Sequence, residues 1–563
     1  MNPDMLLAHY DRIADAPDAI ARLRRFILDL AVRGKLVPQD PNDEPASELL
    51  KRIAAEKARL GIRDALEPLA SEEVPFALLK GWAWTRIGEI CSKTGSGSTP
   101  RGGKEVYVES GVPFLRSQNV YDDGLRLDDV AYIAADVHAR MSGTAVKPAD
   151  LLLNITGGSM GRCCRVPDGF GEANISQHVA IIRSAIDGMT DFLHKLVLAP
   201  YFQAFIFGKQ TGAGRGGLPK NRMDRIAVAL PPLAEQHRIV AKVDELMALC
   251  DRLEAARKER EATRDRLALS SLARLNAPDP ETFQADARFA LNNLSALTTR
   301  PDQIKQLRQT ILNLAVRGKL VPQDPNDEPA SELLKRIAAE KARLVKAGEI
   351  KSPREASVPA EAPFSVPSNW RWSQLSEIGV LSPRNEAPDV LEASFVPMPL
   401  IAADYGVANQ HEVRPWGEIK KGYTHFAEGD VGLAKITPCF ENGKSTVFRN
   451  LTGGIGSGTT ELHIVRPLFI EQDYILLFLK SPHFIETGIP KMTGTAGQKR
   501  VPTEYFAHSP FPLPPLAEQH RIVAKVDELM ALCDRLEASL STCDDTRRCL
   551  LESILHHSLA LAA

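Results

Sequence analysis

Apolar residues recur at alternating steps of three and four over two stretches of the chain, which is the a/d spacing of a coiled coil. The stripes predict two long helices and a coiled-coil or partner interface formed by Ile239, Val243, Leu246, Cys250 and Leu253, and by Ile522, Val526, Leu529, Cys533 and Leu536. Because the stripes are a matched pair, we favour an intramolecular antiparallel coiled coil. Packing of each stripe within its own domain is the alternative.

A shorter helical pattern precedes each long helix. Residues from Asp302 to Arg317 carry apolar side chains on one broad face, and Gly318 is placed to end this helix, as Gly34 is in the other half. A turn rich in Pro, Asp and Asn follows, after which Ser331 is predicted to cap a further helix.

Both helical blocks occur twice without a single change. The block from Leu30 to Leu60 recurs from Leu314 to Leu344, and the block from Leu230 to Ala255 recurs from Leu513 to Ala538. The offsets of 284 and 283 residues show two half-molecules in tandem. We call these identical blocks the frames and the almost completely different segments between them the inserts. Identical frames around different inserts indicate a common partner for the frames and selection for difference in the inserts.

The inserts have the pattern of small α+β domains, with short apolar runs between loops of Gly, Ser, Asn and Asp. Strands are predicted at 111–116, 150–155 and 178–183 in the first insert, and at 393–398, 429–435 and 461–466 in the second. Each insert ends with a predicted helical stretch, from Phe192 to Phe207 and from Asp473 to Phe484.

The predicted architecture is an α+β fold in which two globular domains are separated by a long antiparallel helical coiled coil, with a pseudo-twofold internal repeat. Residues 1–80 would be an N-terminal helical frame segment and 229–368 a central frame with the coiled coil and the turn-helix block. The inserts at 81–228 and 369–511 would be the two globular domains, and 512–563 the C-terminal coiled-coil helix.

Composition adds limits to this picture. A chain of 563 residues is too long for one hydrophobic core, and 44% hydrophobic with 25% charged residues is typical of globular proteins. A formal charge of −2 argues against a polybasic, non-specific nucleic-acid binder but allows DNA recognition by local surfaces. Acids stand where a signal peptide would carry basic residues, and no transmembrane run occurs, so we expect a cytoplasmic protein without membrane contact.

Polar loops of the inserts carry side chains that can read DNA. Asn and Gln can pair with adenine and Arg with guanine, while Ser, Thr and backbone N–H groups bind phosphates. The candidate DNA-binding residues of the first insert are Ser96, Ser98, Thr99, Arg101, Arg116, Ser117, Gln118, Asn119, Asn154, Thr156, Ser176, Gln177, His178, Arg215 and Lys220. Those of the second insert are Lys435, Thr437, Asn442, Lys444, Ser457, Thr459, Thr460, Gln498, Lys499 and Arg500. Taken singly, each such loop is more often a solvated turn.

No catalytic motif or metal-ligand cluster is found. Gly443-Lys444-Ser445 is similar to the end of a phosphate-binding loop, but Pro438 stands where that loop requires its first glycine. Cys163 and Cys164 are adjacent and lack metal-ligand spacing. We therefore predict no catalytic residue and no metal site, and a chain that is not itself an enzyme.

Several independent segments together resemble the specificity (S) subunit of type I restriction-modification systems. They are the P-L-A-E-Q-H-R-I-V start of each long helix, the L-A-V-R-G-K-L-V block, and G-S-G-S-T-P-R in the first insert. The segments from Asn174 to Ala180 and from Ala434 to Lys444 look like parts of target-recognition domains of that family. The resemblance covers nearly the whole chain.

The resemblance implies a non-catalytic subunit with two target-recognition domains, each reading one half of an asymmetric bipartite site in double-stranded DNA. The coiled coil would set the spacer and dock two methyltransferase (M) subunits, which two restriction/translocase (R) subunits join in the full complex. S-adenosylmethionine, ATP and Mg²⁺ would belong to these partners, with no cofactor in this chain. Two alternatives stay open: an S-like subunit of a methylation-only system, and a coiled-coil scaffold that does not bind DNA.

Overall fold

The computed structural model describes residues 15–62, 66–67, 69–70, 73–208, 217–350, 362–495 and 497–560. The chain divides into two compact units, one formed by Met1–Glu259 with Cys543–Ala563 and the other by Arg260–Thr542. Both divisions fall inside long helices. Among the described residues, no helix combines the length and the hydrophobicity needed to span a bilayer.

The first unit contains seven complete α-helices among its described residues, and the long helix α8 (Leu233–Asn276) begins in it. The helices are α1 Ala19–Val32, α2 Ala46–Arg59, α3 Ile87–Ile90, α4 Ala135–Arg140, α5 Thr190–Leu198, α6 Pro200–Phe207 and α7 Lys220–Asp224. The strands are β1 Ala83–Arg86, β2 Cys91–Ser96, β3 Tyr107–Val108, β4 Val112–Leu115, β5 Val120–Tyr121, β6 Gly124–Leu125, β7 Ala131–Ile133, β8 Leu151–Asn154, β9 Cys163–Arg165, β10 Asn174–Ile175, β11 Val179–Ser184 and β12 Ala227–Leu230.

The second unit has a similar succession of elements, and the long helix α18 (Leu516–Ala560) begins in it. Its complete helices are α9 Phe283–Asn292, α10 Leu294–Leu297, α11 Pro301–Val316, α12 Ala330–Lys346, α13 Leu375–Ile378, α14 Trp416–Ile419, α15 Gln472–Lys480, α16 Pro482–Gly488 and α17 Thr503–His508. Its strands are β13 Arg371–Ser373, β14 Gly379–Leu381, β15 Glu392–Val396, β16 Glu412–Pro415, β17 Thr424–Ala427, β18 Val431–Ala434, β19 Ser445–Val447, β20 Ile455–Gly458, β21 Leu462–Pro467 and β22 Phe511–Leu513.

The two inserts share a sheet topology although their sequences differ. One four-stranded antiparallel sheet has the order β2-β11-β8-β9 in the first insert and β14-β21-β18-β19 in the second. A second sheet in each insert contains one parallel pair, which is β4 with β10 in the first insert and β15 with β20 in the second. Entrance and exit of each insert pair as β1-β12 and β13-β22. The α+β class and all six predicted strands are confirmed.

The apolar stripe at the start of each long helix is buried in the core of its own unit. In the first unit, Ile239 and Val243 lie fully buried in one cluster with α1. Arg24 of α1 donates hydrogen bonds to Asp251 at 2.6 Å and to Glu254 at 2.7 Å. The stripe therefore packs on the preceding frame helix. This is the packing within its own domain that we gave as the alternative.

The second unit repeats this packing. Ile522 and Val526 are fully buried in a cluster with α11, where Arg308 donates to Asp534 at 2.6 Å and to Glu537 at 2.8 Å. Cys250 and Cys533 are also buried, while the four leucines of the stripes, Leu246, Leu253, Leu529 and Leu536, are half-buried.

The predicted helix ends are partly confirmed. Gly34 and Gly318 follow α1 and α11 with φ of +71° and +65°, the left-handed conformation that a helix-terminating glycine adopts. The predicted cap by Ser331 is wrong, because α12 already begins at Ala330, after Pro329. The Ala330 N–H instead donates to the Asn369 carbonyl at 3.1 Å, so the entrance of the insert takes the place of a side-chain cap.

Candidate nucleic-acid interface

Strand ends in the first insert place the predicted polar loops side by side. Asn154 at the end of β8 lies opposite Val179 at the start of β11, and Ala180 lies opposite Ser96 at the end of β2. The loops after β2, after β8 and before β11 therefore lie at one end of the sheet. Sequence alone could not show this, because the three loops are far apart along the chain.

Backbone hydrogen bonds join these loops. The Gly97 N–H donates to the Val179 carbonyl at 2.9 Å, and the Ile155 N–H donates to the His178 carbonyl at 3.0 Å. The Ile155 carbonyl accepts from the Leu218 N–H at 2.9 Å, which adds the segment before α7. We call loops 96–101, 116–119, 154–156, 176–178 and 217–220 the recognition end of the first insert.

Two predicted contact residues brace the recognition end from inside. Asn154 is fully buried, and its Nδ2 donates to the Ser117 carbonyl at 2.8 Å. Asn119, only 2% exposed, accepts from the Arg116 N–H at 2.9 Å and donates to the Arg126 carbonyl at 2.9 Å. Both amides are enclosed, and they fix the shape of the loop. Ser176 is buried as well.

The other described candidates of the first insert are half-buried or exposed. Those with exposed side chains are Ser96, Ser98, Thr99, Arg101, Gln118, Gln177, His178 and Lys220. Thr156 and His178 pair at 2.7 Å through the hydroxyl and Nδ1, and Lys220 binds Asp224 at 2.5 Å. Arg101 forms no ion pair within the described part of the chain. Arg215 lies outside the described residues.

The second insert gathers its loops at the equivalent sheet end. Ala434 at the end of β18 lies opposite Leu462 at the start of β21. The Lys435 N–H donates to the Glu461 carbonyl at 2.9 Å, and the Lys435 carbonyl accepts from the Val501 N–H at 2.8 Å. These are the connections that Ile155 makes in the first insert. Loops 435–444, 459–461 and 498–500 form the recognition end of the second insert.

Internal contacts already use several polar groups of this end. Arg500 binds Glu461 through Nε and Nη2 at 2.9 and 2.8 Å, and its Nη1 donates to the Gln498 carbonyl at 3.1 Å. The Arg500 hydrogen bonds lower the pKa of Glu461. Ser457 is fully buried and donates to the Ile419 carbonyl at 2.7 Å. Lys444 approaches the Met398 carbonyl at 3.3 Å.

Other candidates of the second insert face outward. Asn442, Thr460, Gln498 and Lys499 are exposed, while Lys435, Thr437 and Thr459 are half-buried. Thr437 is held by a hydrogen bond from its N–H to the Lys499 carbonyl at 2.9 Å. Neither Lys435 nor Lys499 forms an ion pair with a described residue. Both lysines are therefore available for phosphate contacts.

Sequence reasoning missed one arginine at the recognition end of the first insert. The guanidinium of Arg162 lies over the ring of Tyr121 at 4.6 Å, and the Arg162 carbonyl accepts from the Asn154 N–H at 2.8 Å. No ion pair holds Arg162 among the described residues. Stacking orients its guanidinium without using its N–H donors, which suits it to a phosphate or a base edge. An isolated arginine beside a buried cysteine pair gave no signal in the sequence.

Identical frame residues pair with each other in the same way in both units. Arg238 binds Asp43 at 2.6 Å in the first unit, and Arg521 binds Asp327 at 2.5 Å in the second. Glu235, beneath the first insert, accepts a hydrogen bond from the Trp82 indole at 3.0 Å. The frames thus provide matched sockets for two different inserts.

Comparison with known proteins finds a family model and several relatives that match part of the chain. Residues 79–263 match the model of the type I restriction modification DNA specificity domain. The specificity subunit of the Escherichia coli type I restriction enzyme EcoEI is 56% identical over 257 residues, which are 45% of this chain and 43% of that protein. The EcoAI specificity subunit of Escherichia coli is 53% identical over 257 residues, 45% of this chain and 44% of that protein. The match thus spans less than half the length of these relatives.

The solved HsdS subunit from Thermoanaerobacter tengcongensis is 18% identical, with a TM-score of 0.44 over 85% of this chain and 98% of that chain. The sequence matches relate the chain to DNA specificity proteins of type I restriction-modification systems. Residues 79–263 thus have the sequence of such a specificity domain, and the resemblance that the motifs predicted is confirmed for this part of the chain.

Proposed function

We propose that this chain is the DNA-specificity subunit of a type I restriction-modification complex and that each insert reads one half of an asymmetric bipartite site. One observation carries the proposal: equivalent strands in the two inserts gather loops of different sequence at the same end of the sheet. A constant scaffold that presents different polar loops is what reading two different half-sites requires.

Within each recognition end, exposure separates two roles. Exposed side chains would contact DNA, including Arg101, Gln118 and Gln177 in the first insert and Asn442 and Lys499 in the second. The buried candidates would position loops instead of touching bases, because their side chains are enclosed in the domain and hydrogen-bond to neighbouring loop residues. These supporting residues are Asn119, Asn154, Ser176 and Ser457.

The identical frames would dock two copies of one partner, the methyltransferase subunits, to which two restriction/translocase subunits bind in the complete complex. Two equal docking sites on one chain suit two equal partners. The long helices would set the spacer between the half-sites. S-adenosylmethionine, ATP and Mg²⁺ would bind the partners, and this chain would be non-catalytic. Such a complex would act on DNA in the cytoplasm.

Charge supports a shared grip on the phosphates. Across residues 81–228 the basic residues exceed the acidic ones by 3, and across 369–511 the acidic residues are in excess by 2. Lys220 and Arg500 are also paired with acids. We therefore expect DNA binding by the chain alone to depend weakly on salt, with the steep dependence appearing only in the complex. An equally steep slope for the chain alone would contradict the shared grip.

The decisive experiment expresses the full chain with a type I methyltransferase subunit in cells without other modification systems and maps methylated adenines. The expected result is a bipartite motif that is absent when the methyltransferase is expressed alone. If no methylated motif depends on this chain, the scaffold alternative is correct. Adding a restriction subunit then separates a complete system, which cleaves unmethylated sites, from a methylation-only system.

A further inference from the structure

Gln118 lies at the recognition end of the first insert, and the NH₂ group of its side-chain amide is already hydrogen-bonded within the domain. Its Nε2 donates to the Asp129 carboxylate at 2.6 Å and approaches the Asp129 carbonyl at 3.4 Å. Both partner groups only accept hydrogen bonds, so the amide must turn its NH₂ group towards Asp129. The opposite group, the Oε1 oxygen, accepts no hydrogen bond from a described residue and is directed away from this pair.

The turn that carries Gln118 is braced on several sides. Arg116 donates to the Asp129 carbonyl at 3.2 Å, next to the Gln118 contact. Buried Asn119 closes the turn from below, and the Ser117 carbonyl is held by Asn154. Because the turn is fixed before a ligand arrives, the orientation of the Gln118 amide is preorganised and little ordering is required on binding.

On the proposed function, we infer that Gln118 reads a base through its oxygen alone and selects a base that presents an exocyclic amino group. In the major groove these groups are adenine N6 and cytosine N4. A glutamine that is free to turn can pair with adenine through both its oxygen and its nitrogen, or can donate to guanine. Here Asp129 removes the donor half, so Gln118 is an acceptor-only reader.

The test uses the full chain assembled with the methyltransferase subunit. The assembly first selects its motif from a random double-stranded DNA library, as wild type and as Gln118→Ala. One half-site should differ between the motifs that wild type and Gln118→Ala select. In that half-site, each adenine or cytosine is then replaced by an analogue without the exocyclic amino group, and each purine by a 7-deaza analogue without the N7 acceptor. We expect one amino-group deletion to weaken wild-type binding about fivefold and to have no effect on Gln118→Ala.

A second variant tests the role of Asp129. In Asp129→Asn the new amide can donate to Gln118 Oε1, which allows the glutamine to turn. The loss of affinity that depends on both Gln118 and the base amino group, which we call their coupling, should then disappear. Asp168→Asn is the matched control, because Asp168 is exposed and pairs with Arg165 of β9, which lies at the end of its sheet opposite Asn154. This control should keep the coupling.

Three outcomes are decisive. Coupling of Gln118 to an amino-group deletion, lost in Asp129→Asn, supports the inference. Coupling to the N7 deletion alone, or to no analogue, overturns it and leaves the bipartite motif and the proposed function standing. If the wild-type assembly selects no motif, the proposed function fails and the inference with it. Equal melting temperatures of variants and wild type show that each variant is folded.

Discussion

At the scale of single residues, each insert contains a buried aspartate that is paired with an arginine of its four-stranded antiparallel sheet. Asp150 binds Arg183 through contacts of 2.6 and 2.7 Å, and Asp430 binds Arg466 through two contacts of 2.8 Å. Burial raises the pKa of Asp430, and the hydrogen bonds from Arg466 oppose that effect. The repetition of this pair in inserts of different sequence indicates that it fixes the shared sheet.

We expect Asp150→Ala to lower the free energy of unfolding by about 3–5 kcal/mol, because the change strands a charge that was paired inside the domain. Urea denaturation followed by circular dichroism measures the effect. The control Asp168→Ala breaks an ion pair that is exposed to water and should cost less than about 1 kcal/mol. Similar losses in the two variants would refute a special role of the buried pair.

Two buried glutamates of the frames make stability depend on pH. Burial raises the pKa of Glu235 and Glu518 above the usual 4.5, although hydrogen bonds from Trp82 and Gln323 oppose this. A carboxyl group with a higher pKa in the folded state binds more protons when folded, so its contribution to stability falls as pH rises above 4.5. The double variant Glu235→Gln/Glu518→Gln should therefore lose less stability than wild type as pH rises. Urea denaturation across this pH range measures both slopes, and equal slopes would disprove the prediction.

At the scale of elements, the ends of the first frame helices are closely packed. A Cβ atom on Gly34 would lie 2.5 Å from Leu79 Cδ1 and 2.9 Å from the Trp82 ring. The equivalent Gly318 meets Pro367 at 2.6 Å. Each glycine thus combines a left-handed backbone with an insert entrance pressed against the helix end.

Gly61 separates these two effects, because its φ is +73° and no atom lies within 4 Å of its added Cβ. We expect Gly61→Ala to cost about 1–2 kcal/mol from backbone strain alone. Gly34→Ala should cost about 1–3 kcal/mol more, since overpacking adds to that strain. Thermal and urea denaturation of the two variants measure the difference. Equal losses of unfolding free energy in the two variants would show that Leu79 and Trp82 move away from the added methyl group without an energetic cost.

At the scale of the whole molecule, identical frames make the inserts exchangeable. The sockets match, since Lys57 donates to the Gly88 carbonyl at 2.7 Å and Lys341 donates to the carbonyl of Ser376, the residue at the position of Gly88. Placing residues 369–511 in the first frame should therefore give a folded chain with two copies of the second insert. Methylation mapping should then show a motif built from one half-site used twice. A motif that keeps two different halves would contradict the assignment of one half-site to each insert.

The repeat, the strands and the helix ends at Gly34 and Gly318 could be predicted because their signals are local in the chain. Hydrophobic periodicity and repeated sequence need no knowledge of distant partners. The resemblance to type I specificity subunits could be recognised for the same reason. The cap at Ser331 failed because the group that satisfies the Ala330 N–H is the Asn369 carbonyl, 39 residues away.

The sequence by itself determined two frames, two inserts, their α+β class and the resemblance to type I specificity subunits. Only the tertiary structure decided which polar side chains are exposed. Asn119, Asn154 and Gln118 are all amide side chains in polar loops of the sequence. Asn119 and Asn154 lie inside the domain, whereas Gln118 is exposed and its amide is oriented by Asp129. The physical reason is that a hydrogen-bonding group in a loop has one role in water and another inside a packed domain, and the packing of distant strands selects between them.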